Sequence, residues 1–189
     1  MAVDQPALLN ALQAVTDPNT GQDFVTTRAL RNLQINDSDV SFDVELGYPA
    51  KSQMPALRRA LIGAAKAVPG VDNVSVNLTF KVQAHAVQRG VQLMPNVKNI
   101  IAVSSGKGGV GKSTTAVNLS LALSAEGASV GILVSDIFGP SHPTMMCFQR
   151  RPSSRGGNTL EPLSKHGLQW ITFRVLVSPP MPILLRSPT

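Results

Sequence analysis

The chain has 189 residues, 43% hydrophobic and 15% charged: enough apolar content for one ordinary domain or two small ones, and too much for global disorder. No apolar run approaches the roughly 20 residues that span a bilayer, and no basic stretch followed by an apolar one marks a secretory signal. A single cysteine, Cys147, excludes an internal disulfide framework, so a cytoplasmic location is expected. The net charge of +6 is not evenly spread. Residues 1–146 hold eleven Lys/Arg against ten Asp/Glu, whereas residues 147–189 hold six Lys/Arg against Glu161 alone. No Lys/Arg stripe interleaved with aromatics occurs on an expected element, so neither nucleic acid nor a membrane is an expected partner.

Asp4 precedes an amphipathic stretch with Leu8, Leu12 and Val15 on one face, which predicts a short helix. The turn-rich "DPNTGQD" (17–23) follows. Strands are expected at 29–36 and 40–46, joined by "NDSD" (36–39); the second alternates Val40, Phe42, Val44 and Leu46 with Ser41, Asp43 and Glu45. Ser52 is placed to cap a helix through about 67 that buries Leu57, Leu61 and Ala64 and ends at Pro69-Gly70. Val74, Val76, Leu78, Phe80 and Val82 alternate as a third strand. Residues 1–82 therefore predict a small α-β-β-α-β domain with one helical layer. Its Asp17, Asp37, Asp39 and Asp43 read as turn and solvent-face carboxylates. Residues 83–98, with Gly90 and Pro95, read as a linker in which His85 is solvated.

A continuously apolar strand is expected at 99–104, then a glycine loop, then a helix over about 112–126 with Ala116, Leu119 and Leu123 on its inner face. Gly127 reads as its stop, and 130–134 as the next apolar strand. This βαβ unit predicts an α/β fold: the first half of a parallel-sheet nucleotide-binding domain over 99–146, behind the α+β module. Residues 147–189, Pro-rich and basic, are expected to be a degenerate, poorly ordered tail.

Gly106-Lys107-Gly108-Gly109-Val110-Gly111-Lys112-Ser113 satisfies the eight-position phosphate-loop pattern, with Thr114 next in line. Glycines let successive backbone N–H groups converge on phosphate oxygens, and the helix that begins near Lys112 adds its N-terminal partial charge. Lys112 is placed to reach the β- and γ-phosphates of ATP, Ser113 to ligate Mg²⁺ and Thr114 to contact the α-phosphate.

The additional Lys107 makes the loop resemble the deviant phosphate loop of the dimeric ATPases that include MinD, ParA and nitrogenase iron protein. That resemblance implies a homodimer in which Lys107 reaches the nucleotide of the facing subunit. "VKNIIAVSSGKGGVGKSTTAVNLSLAL" (97–123) with "VGILVSDIFGPSHP" (130–143) is similar to the Mrp (ApbC-like) branch, the iron–sulfur cluster carriers, and "DPNTGQD" resembles their N-terminal assembly domain. The resemblance implies ATP hydrolysis by Lys107, Lys112 and Asp136, coupled to carriage of a [4Fe–4S] cluster from assembly scaffold proteins to apoproteins. Two departures stand out. Val134 occupies the place of the family's first aspartate, and the family's C-terminal cysteine pair is missing, so no cluster ligand is expected in this chain. Cys147 reads as a lone buried or incidental thiol, without metal-ligand spacing to His142 or His166. The chain is accordingly expected to be C-terminally truncated. Two other readings remain: a non-enzymatic fragment that binds nucleotide or assembly partners, and a spatial-regulation ATPase of the MinD or ParA kind.

Overall fold

The computed structural model describes residues 3–85, 94, 96–135, 145–147, 153–155 and 159–172. They belong to two compact units, residues 1–100 and 101–189. Together they form a mixed α/β structure with small sheets.

The first unit runs α1 (Gln5–Gln13), β1 (Leu30–Asn36), β2 (Asp39–Leu46), α2 (Met54–Lys66), β3 (Asn73–Phe80). β2 is central, antiparallel to β1 and parallel to β3, and every residue from Asp39 to Leu46 pairs in register with Asn73 to Phe80. Parallel pairing requires a crossover, and α2 provides it. The alternation of β2 sends Val40, Phe42, Val44 and Leu46 into a core shared with Leu8 and Leu12 of α1 and Leu57, Leu61 and Ala65 of α2. Ala65, not Ala64, faces inward, and Gln53 rather than Ser52 is the N-cap of α2, with Pro55 in the first turn. The opposite face of the sheet is polar, with Ser75, Asn77 and Thr79 exposed.

The turn chemistry of 17–23 is realised, but Asp17 is not a solvent-face carboxylate. It is buried, because Tyr48 covers it: the Tyr48 hydroxyl donates to Asp17 Oδ1 at 2.6 Å, and Asn19 N donates to the same oxygen at 2.9 Å. Burial first, and the bond to Asp17 second, push the Tyr48 hydroxyl up to about 12. A raised folded value means that this stabilisation is complete below the ordinary value of 10 and is lost as pH rises through about 12. Tyr48→Phe should destabilise the unit by about 1.5–3 kcal/mol at neutral pH, the worth of a hydrogen bond to a charged group. It should also abolish the alkaline loss of stability that urea melts of the parent chain are expected to show above pH 10. Tyr48 is the sole tyrosine, so its own titration is read directly from tyrosinate absorbance.

The second unit contains α3 (Lys112–Ala125), β4 (Val130–Val134), β5 (Ser154–Arg155), β6 (Thr159–Leu160), β7 (Leu163–Lys165) and β8 (Leu168–Thr172). β8 lies between β4, to which it is parallel, and β7, to which it is antiparallel. Here the structure differs from the sequence reading in three ways. Residues 163–172 are not a degenerate tail: His166 and Gly167, both with positive φ, close a two-residue hairpin, and Leu168 and Trp170 are buried. Residues 99–104 form no strand; Ile100 and Ile101 are 66% and 61% exposed, and β4 pairs with β8 among the described residues. An apolar run becomes a strand only where a neighbour accepts its hydrogen bonds. Finally, α3 turns Val117 and Leu121 inward, against Leu168 and Met146, and leaves Leu119 exposed.

Candidate functional site

α3 is entered through Gly111, its N-cap, at φ 85° and ψ 16°. This left-handed conformation costs a residue with a Cβ roughly 1–2 kcal/mol. Thr115 N donating to Gly111 O at 2.9 Å is the first bond of the helical ladder. The N–H groups of Lys112, Ser113 and Thr114 precede that bond and carry the positive end of the helix. The far end is closed by a Schellman motif: Gly127 (φ 96°) donates to Ser124 O and Ala128 to Leu123 O.

The four glycines of the loop have different reasons to be there. Gly109 and Gly111 have left-handed φ values of 74° and 85°. Gly106 and Gly108 have neither that conformation nor a close neighbour: a Cβ at either would meet no atom within 4 Å. Nothing in the protein's own packing demands glycine there. The space a Cβ would take is open at both.

The structure places the expected residues on one turn and one helix start. Gly106, Lys107, Gly108, Gly109, Val110 and Gly111 are exposed, Lys112 and Ser113 are half-buried and Thr114 is exposed. Asp136 lies outside the described residues, so its relation to the loop is not part of this geometry. Val134 ends β4 buried, paired with Thr172 of β8, where an aspartate could not sit without a partner. Cys147 is exposed, not buried. Among the described residues no three His, Cys, Asp or Glu side chains converge as a metal site, and no helix is long and apolar enough to cross a membrane.

Ser105 is a participant that the motif does not include. Its Oγ accepts from Lys107 N and donates to Lys107 O, both at 3.2 Å, and so staples the loop's entry. A serine two positions before the residue it bonds is a common local turn signal and was available in the sequence. In the first unit, Asp43 is held by the Asn32 amide at 2.7 Å and the Asn77 amide at 3.1 Å, which keep its carboxyl below the usual range. His85 is bonded to Asn99 through both its backbone N and its Nδ1.

Comparison with known proteins follows the same division. Residues 5–77 match the iron–sulfur cluster assembly protein family. Residues 96–189 match the family described as NUBPL iron-transfer P-loop NTPase. An iron–sulfur cluster carrier protein of Synechocystis sp. is 38% identical over 186 residues, 96% of this chain and 53% of that protein. A protein of the same name from Escherichia coli K12 is 35% identical over 189 residues, 97% of this chain and 51% of that protein. One from Pseudomonas fragi is 43% identical over 121 residues, covering 63% and 42%. The chain spans about half the length of the curated relatives that it matches along nearly its whole extent. The glycine loop on a helix N-terminus, the two adjoining family matches and these relatives agree: the chain belongs to the iron–sulfur cluster carrier family of P-loop NTPases.

Proposed function

We propose that this chain binds Mg·ATP at residues 106–114 and takes part, in the cytoplasm, in ATP-dependent transfer of [4Fe–4S] clusters to apoproteins. The observation that carries the nucleotide reading is the pair Gly106 and Gly108, glycines with open space at the Cβ position and no conformational need of their own. The N–H groups of Lys112, Ser113 and Thr114 and the Lys112 ammonium would hold phosphate oxygens, and Ser113 Oγ would ligate Mg²⁺. Lys107, exposed on the loop, is assigned to the nucleotide of a facing subunit in a homodimer. Asp136 is assigned to the metal and the attacking water. When bound, Mg·ATP supplies a phosphoryl group whose hydrolysis provides the driving force for cluster release. The cluster is cargo: a [4Fe–4S] cluster is ordinarily held by four thiolates, and these 189 residues carry one cysteine. The part assigned to them is therefore nucleotide handling and engagement of scaffold and recipient proteins.

A second reading, binding without turnover, is favoured by Val134, a buried apolar side chain where the family resemblance implies a carboxylate. One titration separates the readings. The 189-residue chain is titrated with Mg·ATP by calorimetry while phosphate release is followed in parallel. Saturable binding with release supports the carrier ATPase, and saturable binding without release supports the second reading. No binding overturns both.

A further inference from the structure

The two ends of the phosphate loop are anchored differently. Its exit is fixed by local structure: Gly109 and Gly111 take left-handed φ values of 74° and 85°, and Thr115 N donates to Gly111 O at 2.9 Å where α3 begins. Its entry has no such support. Among the described residues, 101–104 belong to no strand, so no sheet partner holds the chain as it runs into the loop. Ser105, Gly106 and Lys107 are all exposed, and a Cβ at Gly106 would meet no atom within 4 Å. Packing therefore does not define the backbone there, and the glycine at its centre has the widest choice of φ and ψ.

What restrains the entry is one hydroxyl. Ser105 Oγ accepts from Lys107 N and donates to Lys107 O, each at 3.2 Å, so it spans Gly106 and holds the peptide groups on both sides of the Lys107 Cα. Two bonds from one side chain reduce the conformations open to Gly106 and Lys107 before any ligand arrives. A loop ordered in advance loses less freedom when it closes on phosphate oxygens, and it binds correspondingly more tightly. We propose that Ser105 is a positioning residue of the phosphate loop. Its hydroxyl keeps the loop's entry in the shape that receives nucleotide, without touching the nucleotide itself. This role rests on the reading of residues 106–114 as the Mg·ATP site. It belongs to the hydroxyl and to the backbone of residue 107, so Lys107→Ala leaves the staple intact.

The test begins without nucleotide. In the full chain, Ser105→Ala should speed hydrogen exchange of the Lys107 amide, followed by NMR, by roughly two- to fivefold. Titrated with Mg·ATP by calorimetry, the same variant should bind roughly two- to fivefold more weakly than the parent. Ser105→Thr keeps a hydroxyl at the same place and should restore both quantities. Ser104→Ala removes the neighbouring exposed hydroxyl and should change neither. Four results overturn the proposal: unchanged Lys107 exchange in Ser105→Ala, unchanged affinity in that variant, no recovery in Ser105→Thr, or equal effects from Ser104→Ala. Affinity lost with exchange unchanged would place the hydroxyl on the nucleotide instead. A parent chain that binds no Mg·ATP overturns the phosphate-loop reading and this role together, and that result is read before any substitution is made. Failure in the variants alone leaves the phosphate-loop reading standing.

Discussion

Lys112→Ala should lower the affinity of the chain for Mg·ATP by roughly 10- to 100-fold. The substitution withdraws one charge-assisted hydrogen bond, worth about 1.5–3 kcal/mol, from a phosphate oxygen. Lys112 is the first residue of α3 and half-buried, so its ammonium starts from a backbone fixed by the Gly111 cap. The effect should be on binding and not on folding, because Ala is the better helix former and no bond of Lys112's side chain is sacrificed to the protein's own core. Lys107→Ala provides the contrast. Lys107 belongs to the exposed turn, so its loss should leave single-site affinity closer to that of the parent chain and act on nucleotide-dependent dimerisation. Calorimetry for the first variant and sedimentation with Mg·ATP for the second measure these effects. Unchanged affinity in Lys112→Ala would remove this lysine from the site.

Leu61→Ala should be the most damaging single change in the first unit, at about 2–5 kcal/mol. Leu61 is 0% exposed at the middle of α2, in the core with Leu8 and Leu12 and with Val44 of the central strand. Truncation removes the methyl groups that hold the helical layer to the sheet, and a helix anchored at both ends relaxes poorly into the void. Against a stability of about 5–15 kcal/mol for a domain of this size, that is a large share. Arg59→Ala, two residues earlier on the exposed side of the same helix, should stay within about 0.5 kcal/mol. Urea melts of the two variants should differ accordingly. Equal midpoints would mean that α2 is not held through Leu61.

Where local chemistry decides a structure, the sequence was a sufficient guide. The strict alternation of β2, the turn at Asn36–Asp39 and the helix start after Gly111 each follow from residue types within a few positions of one another. The failures share a different cause. Residues 99–104 are as apolar as β4, and only the presence of a neighbour could have distinguished strand from extended chain. α3 is apolar around most of its circumference, so periodicity could not select Val117 over Leu119; contact with Leu168, more than forty residues away, does so. Asp17 looked like every other turn aspartate until Tyr48 folded over it from a distant loop. The hairpin at His166-Gly167 carried a local signal, a glycine just before the alternating Leu168, Trp170 and Thr172, which the surrounding prolines and arginines obscured.

Each unit has an apolar core of its own. Among the described residues, the first unit buries fifteen apolar side chains in one core, and the second packs Val117, Met146 and Leu168 with Leu121, Val130 and Ile132 around them. A nucleotide bound only to the folded form of the second unit adds about 2.7 kcal/mol at a hundredfold excess over the dissociation constant. By mass action, a nucleotide that binds there would slow amide exchange along α3 and β4 in proportion to its occupancy, before any turnover took place.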